Sequence, residues 1–339
     1  MERVTPTIRD VAERAGVSAG TASRALNGHD RVSPATRLAV QAAADELHYV
    51  PNALIRSLQS GRTNTVGLFL WRVEPSAPAS IATALVQGLL ASLGEADRDA
   101  LFYHRHPHEQ QGTPAYFLDG RVDGVILAPG FLSHDDTTTL VQAGMPLVAL
   151  YQGAAGGAAG TVNVASRAGA SMAVRRLVEL GHRRIAFVAP AYTFDYQERR
   201  SGWAEALAAN GLPIDPAFCP EIASEHGPEI PCSVRGLMAL DRPPSAIVAG
   251  DDAVAMCVLD ELGSLGVAVP RRVSVVGFDD VSPAGEERRL STLRHPATEV
   301  GLTAGRFMGR LLSGVDPSEC RAVLPVSYVE RGTTGPAPG

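Results

Sequence analysis

Two rhythms divide the chain. From Pro6 to Arg62, apolar residues recur at three- and four-residue spacing, the mark of short amphipathic helices. From Val66 onward, short apolar runs bounded by turns alternate with amphipathic stretches, which predicts strand and helix in turn. The runs include Val66–Leu70, Val122–Leu127, Pro146–Leu150, Ile185–Val188, Ala246–Ala249 and Val273–Gly277. Between them lie Ser80–Leu93, His134–Ala143, Ser171–Leu180, Ser201–Ala209 and Ala253–Leu265. Such alternation predicts parallel sheets with helices on both faces. About 270 residues of it exceed one usual domain. Two doubly wound lobes are expected, with a cleft at the carboxyl ends of their strands.

In the N-terminal part each helix carries its own punctuation. Thr7-Ile8-Arg9-Asp10 reads as a capping box. Ile8, Val11, Ala12 and Ala15 share one face, and Gly16 can close the helix with a positive φ. Ser18 can cap a second helix that runs through Leu26 and ends at Asn27-Gly28. Ser33-Pro34 opens a third, with Leu38, Ala42 and Leu47 as its apolar stripe. Pro51 ends that helix. Asn52 to Leu58 is a short segment, about seven residues, and so marginal as an isolated helix; it is expected to order only when something holds it. Gly153–Gly160 is low in complexity and reads as a loop or crossover. The tail Thr333–Gly339 is expected to be disordered. The expected division is therefore 1–50 as an all-α head, 51–62 as a linker, 63–332 as the two-lobed body and 333–339 as the tail.

Two short helices joined by a glycine-containing turn make a helix-turn-helix, whose second helix can enter a major groove. That helix would expose Ala19, Gly20 and Arg24, and Arg24 can pair with a guanine edge through two bonds. Ser18, Thr21, Ser23, Asn27 and Thr36 offer small polar groups suited to phosphate oxygens, and Thr7, Ser33 and Asn52 are placed with them. A plain helical hairpin with solvated polar residues is the alternative.

Charge supports the DNA reading despite a net of −6. Residues 1–62 hold eight Arg against six acidic residues, and the remainder holds 22 Arg against 30. A basic head on an acidic body suits a DNA-reading module joined to a sensor. Every basic residue is Arg. No run of 18 apolar residues suggests a membrane span, and the N-terminus lacks a secretory pattern, so a cytoplasmic location is expected. The four cysteines are widely spaced, without a C-x-x-C pair, and suggest neither zinc nor a redox dithiol.

Other motifs carry less. Gly16-Val-Ser-Ala-Gly20 fits the G-x-S-x-G pattern, but a helix precedes it where a nucleophile elbow needs a strand. His104, His106 and His108 could supply metal imidazoles, yet they close a strand and read as a solvated turn. No Walker loop and no G-x-G-x-x-G follows a strand. No catalytic residue, cofactor or metal is expected. An exported sugar-binding protein would share the two lobes but carry an export signal in place of residues 1–62. An α/β enzyme would need a nucleophile–base pair in the cleft.

Over nearly its whole length the chain resembles the LacI/GalR family of repressors. The resemblance rests on Ile8-Arg-Asp-Val-Ala, Gly16-Val-Ser, Thr21-Ala-Ser-Arg-Ala-Leu-Asn-Gly28, Val32-Ser, Thr36-Arg37 and Leu47-His-Tyr-Val-Pro-Asn52. In the body it rests on Gly181-His-Arg-Arg-Ile185, Pro244-Ser-Ala-Ile247, Ser274-Val-Val-Gly-Phe-Asp-Asp280 and Leu290-Ser-Thr292. It implies a homodimer on a near-palindromic operator, with a small, sugar-like effector between the lobes. Ala19, Gly20 and Arg24 then stand where bases are read. Residues 52–58 match the hinge helix, and Leu58 is the leucine that wedges into a base step; Ile55 stands where Ala is usual. Arg199 and Asp279 match the residues that hold the effector. Asp251 replaces a usual Asn, Ala165 and Ser166 replace Asp-Asn, and His295 lies near a position often filled by Gln. Trp71, Pro78 and Ile81 are placed on an apolar wall of the same cleft. The C-terminus shows no leucine heptad, so a tetramer through a terminal coiled coil is not expected.

Overall fold

The computed structural model describes residues 6–28, 31–70, 81–103, 116–128, 134–152, 159–190, 193–223, 228–280 and 288–339. Two compact units meet at the Asn64–Thr65 boundary.

The first unit holds α1 (Ile8–Arg14), α2 (Ala19–Leu26), α3 (Pro34–Glu46) and α4 (Ala53–Ser60). The Asp10 carboxylate accepts from the Thr7 N–H at 2.7 Å and from its hydroxyl at 2.8 Å, fixing the start of α1. Gly16 makes the turn at φ +69°. Ser18 and Ser33 cap α2 and α3 by accepting from the N–H of Thr21 and of Thr36, each at 3.1 Å. The core is built of small residues: Val11, Ala12, Ala22, Ala25, Val32, Val40, Ala43 and Ala44. The buried face of α3 differs from the expected stripe. Leu38 is 73% exposed and Ala42 is exposed too, while Val40, Ala43 and Ala44 face inward with Leu47 partly buried. The i, i+3, i+4, i+7 spacing of residues 40, 43, 44 and 47 is the true helical face; the larger Leu38 obscured it. The segment expected to order only when held is helical as α4.

The second unit contains two sheets. The first has the order β10-β5-β4-β3-β1-β2, from β1 (Thr65–Phe69), β2 (Asp99–Phe102), β3 (Gly124–Leu127), β4 (Leu147–Leu150), β5 (Gly160–Val164) and β10 (Arg321–Leu324). All its pairs are parallel, with Leu68 opposite Ile126 and Val148 opposite Gly160. The second has the order β11-β9-β8-β7-β6, from β6 (Ile185–Val188), β7 (Ala246–Ala249), β8 (Ser274–Asp279), β9 (Ser291–Arg294) and β11 (Ser327–Val329). It is parallel except for β11, which pairs antiparallel with β9 at the edge. The helices are α5 (Ile81–Glu95), α6 (His134–Gln142), α7 (Ser166–Glu179), α8 (Phe194–Ala209), α9 (Glu229–Met238), α10 (Asp252–Ser264) and α11 (Ala297–Leu312). The central strands β3, β4 and β7, and the edge strand β6, are buried along their whole length, as strands covered on both faces must be.

The chain passes between the lobes three times. It leaves β5 at Ala165 for α7, which packs on the second sheet, and returns after β9 through His295-Pro296 into α11, which packs on β3, β4 and β5. It crosses last between β10 and β11. Connections of this kind are where hinge rotation between lobes takes place in two-lobed proteins.

Helices α5 and α11 approach backbone to backbone. A Cβ on Gly88 would collide with the Thr298 carbonyl oxygen, and one on Gly301 with that of Leu85. Backbone cannot yield as a flexible side chain can, so Gly88→Ala is expected to cost at least ~1–3 kcal/mol. Thermal unfolding of the full chain checks this; a melting temperature equal to wild type would refute the close packing.

The tail expected to be disordered is folded. Ser291 N–H donates to Thr333 Oγ1 at 2.8 Å, and that hydroxyl donates to the Val275 carbonyl at 2.7 Å. His182, just ahead of β6, has Nε2 3.0 Å from the Gly335 carbonyl, and Ala337 N–H donates to Leu180 O at 2.8 Å. Gly and Pro composition hid this, because small residues can lie flat against β8 with their backbone satisfied by neighbouring loops.

Candidate functional site

Apart from Arg24, the exposed face of α2 and the residues that open α1 and α3 are small or polar. Ser18, Ala19, Gly20, Arg24 and Asn27 are exposed, Thr21 and Ser23 half-buried. Thr7 and Ser33 are exposed where α1 and α3 begin, and Thr36 is half-buried. Ala19 and Gly20 let the backbone of α2 approach a surface closely. Arg24 lies along the helix, its Nε donating to Gly20 O at 3.0 Å. A bond to an exposed carbonyl is readily exchanged for a better acceptor. Asn52 Oδ1 accepts from the Ile55 N–H at 3.4 Å at the head of α4. Leu58 is 85% exposed and Ile55 54%.

In the second unit the predicted cleft residues gather at the carboxyl ends of the strands. Asp279 ends β8, His295 follows β9, Asp251 follows β7, and Arg199 reaches them from α8. The buried Arg199 donates from Nη1 to Gly250 O at 2.6 Å, and its guanidinium carbon lies 3.7 Å from the Phe278 ring centroid. Its Nη2 stands 3.7 Å from Asp279 Oδ1, an ion pair too long for a hydrogen bond. From the first lobe comes Tyr151, just after β4, whose ring centroid is 5.3 Å from that of His295. Among the described residues, Arg199 Nε, Asp279 Oδ1 and His295 Nδ1 are buried without a hydrogen-bond partner. Buried polar atoms are nearly always satisfied, so three orphans converging on one cleft mark a place for a ligand.

Asp251, expected among the effector contacts, is held by two bonds of its own. Its Oδ1 caps α10 by accepting from the Val254 N–H at 2.7 Å, and its Oδ2 accepts from the Tyr196 hydroxyl. It therefore orients Tyr196, which stacks under Arg199 at 5.6 Å. Ser166 donates to Asp195 Oδ1 at 2.9 Å beside them. Ile81, the first residue of α5, is half-buried. Trp71, Pro78, His104, His106 and His108 lie outside the described residues. Sequence reasoning missed Tyr151, Tyr196, Asp195 and Phe278. Tyr151 and Phe278 could have been found as aromatics at the carboxyl ends of predicted strands; Tyr196 and Asp195 carried no such signal.

The electrostatics follow from burial. Burial pushes the Asp279 carboxyl well above its usual range, and Arg199 offsets this only in part. Burial also works against the Arg199 charge, yet Asp279 and Asp195 hold the guanidinium more firmly protonated than usual. Asp252 is raised to about 6, chiefly by burial. His295 is depressed to about 3, by burial first and then by Arg199, so it is a neutral ring. A folded pKa below the unfolded value of about 6.5 means that its contribution to stability is complete above that pH and lost as pH falls toward 3. Replacing it removes that loss. From pH 7 to pH 5, His295→Gln is expected to lose about 2 kcal/mol less stability than wild type, because the Asp terms are common to both proteins. Urea unfolding at the two pH values measures this, and equal losses would contradict the buried neutral ring.

A helix-turn-helix ahead of two lobes with a polar cleft defines a DNA-binding regulator that senses a ligand. Residues 7–52 match the model for bacterial regulatory proteins of the lacI family, and residues 174–334 match a periplasmic binding protein-like domain. The chain is 33% identical to the HTH-type transcriptional regulator CelR of Thermobifida fusca, over 97% of this chain and 98% of that protein. It is 31% identical to the HTH-type transcriptional regulator AscG of Escherichia coli K12, over 91% and 92%. The chain belongs to the lacI family of bacterial transcriptional regulators. Among solved structures, a CelR–cellobiose complex is 30% identical with a TM-score of 0.70, covering 97% of this chain and 99% of the other. A lac repressor dimer bound to operator and an anti-inducer shares the fold, with a TM-score of 0.81 at 24% identity and the same coverage. No helix among the described residues is long and apolar enough to cross a membrane.

Proposed function

We propose that this regulator is a cytoplasmic repressor, without enzymatic activity, that binds a near-palindromic operator as a homodimer. Residues 1–50 read the DNA, 51–62 form the hinge and 63–332 sense the effector and dimerise. The observation that carries the DNA reading is the α2 face, where Ala19 and Gly20 clear the approach and Arg24 is the exposed cation. Arg24 pairs with a guanine edge. Thr7, Ser18, Thr21, Ser23, Asn27, Ser33, Thr36 and Asn52 lie on or near phosphates, so affinity falls steeply with salt. Leu58 enters the minor groove at the centre of the site.

The effector is a sugar held by Arg199, Asp279 and His295, with Tyr151 as an aromatic surface from the opposite lobe. A forked guanidinium and a carboxylate suit neighbouring hydroxyls, and an aromatic ring suits a sugar's apolar face. The likeness to a CelR–cellobiose complex makes cellobiose the first sugar to test. Binding changes the angle between the lobes and hence the hinge spacing, a coupling typically worth ~1–3 kcal/mol.

The test is selection of duplexes from a random pool by the sugar-free protein at about 0.15 M salt, repeated with cellobiose and a panel of glycosides. Enrichment of a two-fold symmetric site with a flexible central step is the expected result. A blank under both conditions would refute operator recognition.

A further inference from the structure

The turn that carries Asp279 is not self-supporting. Asp279 and Asp280 have φ of +130° and +58°, in the left-handed region that residues with a Cβ enter only when their surroundings enforce it. Other elements supply the enforcement. Asp280 N–H donates to Asp252 Oδ2 at 2.9 Å, and Asp252 Oδ1 accepts from the Thr292 hydroxyl at 2.6 Å. His295 N–H donates to the Asp279 carbonyl at 2.9 Å. The Asp280 carboxylate is held from two sides, by Arg294 Nε at 2.7 Å and Arg331 Nη2 at 2.6 Å.

The two arginines are not equivalent. The Arg294 side chain is 58% exposed and that of Arg331 only 18%, while Asp280 itself is 6% exposed. Exposed ion pairs hold little. Arg331 is also anchored at both ends. Its Nη1 donates to Leu290 O at 2.8 Å and its own N–H donates to Ser291 Oγ at 2.9 Å. Its fork thus ties the start of β9 to the turn after β8, from the C-terminal segment that continues into the folded tail.

The geometry points to Arg331 as a positioning residue of the effector cleft: by clamping Asp280 it enforces the left-handed turn that aims the Asp279 carboxylate at Arg199. Without it the buried Asp280 keeps one solvent-exposed partner, the turn relaxes toward ordinary extended backbone, and Asp279 leaves the cleft. The inference rests on the reading of Asp279 as an effector contact. Its structural half, the enforced turn, can be measured without any ligand.

The experiment compares full-length wild type, Arg331→Ala, Arg331→Lys and Arg176→Ala. The last removes an exposed ion pair to Glu330 on the same C-terminal segment and controls for general loosening. Amide hydrogen exchange is followed across residues 274–280, and cellobiose and the glycoside panel are titrated calorimetrically. Arg331→Ala is expected to exchange at least tenfold faster at residues 278–280, with the rest of the second sheet unchanged, and to bind sugar at least tenfold more weakly. Arg331→Lys should recover most of both losses, and Arg176→Ala should match wild type in both. Wild-type exchange in Arg331→Ala, or equal acceleration throughout the second sheet, overturns the proposal. So does wild-type sugar affinity with a loosened turn. If wild type binds no sugar in the panel, the effector reading fails, and exchange at residues 278–280 still decides the role of Arg331.

Discussion

Arg24→Ala is expected to weaken binding to the selected operator by roughly 10- to 100-fold per half-site, the ~1–3 kcal/mol of a two-bond base contact. Both half-sites of a dimer lose it, so the effect on the full operator is larger. The neighbouring exposed positions of α2 are Ala19 and Gly20, which offer no side-chain hydrogen bond to share the work. The character of the loss matters as much as its size. Loss of a base contact relaxes preference at one base pair and leaves the salt slope unchanged, whereas loss of a phosphate contact weakens all sequences alike and lowers the slope by about one per contact. Anisotropy titrations on operator and single-substitution duplexes at several salt concentrations separate the two. A uniform loss with a shallower slope would move Arg24 to the backbone and leave base reading without a residue. Leu58→Ala should act elsewhere, reducing preference for a flexible central step with the half-sites still read.

Arg199→Ala is expected to abolish the sugar response, with at least a hundredfold loss of affinity, and to make stability depend on pH in a defined direction. Removing one partner of a buried pair typically costs ~3–5 kcal/mol, because the other charge is left uncompensated. Asp279 can evade part of that cost by taking up a proton, since burial already pushes its carboxyl well up. A carboxyl with its folded pKa raised contributes stability that is complete below the unfolded pKa and is lost as pH rises through the folded one. The variant should therefore melt at a higher temperature at pH 5 than at pH 8, relative to wild type. Adding Asp279→Asn should remove that difference. A single variant with wild-type pH dependence would mean that Arg199 and Asp279 do not share one buried environment.

The architecture was largely written in local patterns. Caps at Thr7-Asp10, Ser18 and Ser33 were readable because each is a short-range pattern of polar residue and spacing, and the buried central strands were readable as unbroken apolar runs. The α3 face was misread because one large residue, Leu38, outweighed Val40 and two alanines, although a close helical core prefers the small ones. Elements such as β5 and β11 were not anticipated; β5 begins at the end of a glycine-alanine run, and β11 is only three residues long. In the cleft, Arg199 and Asp279 were legible through resemblance, but their surroundings at Tyr196, Phe278 and Arg331 arise from contacts between residues far apart in the chain, 55 positions for Tyr196 and Asp251 and 51 for Arg331 and Asp280. The folded tail illustrates the same limit: its composition speaks for freedom, and its partners at Leu180, His182 and Val275 lie far upstream.

The exposure of α4 has a bearing on how long the molecule survives. Arg56 and Arg62 are both exposed on or just beyond this helix of eight residues, and an exposed, marginally stable helix is where a protease most readily finds an extended chain. One cut there would separate the reader from the sensor while leaving each compact unit intact. Operator DNA folded around the same segment would shield it, so occupancy of the gene and lifetime of the regulator would rise and fall together.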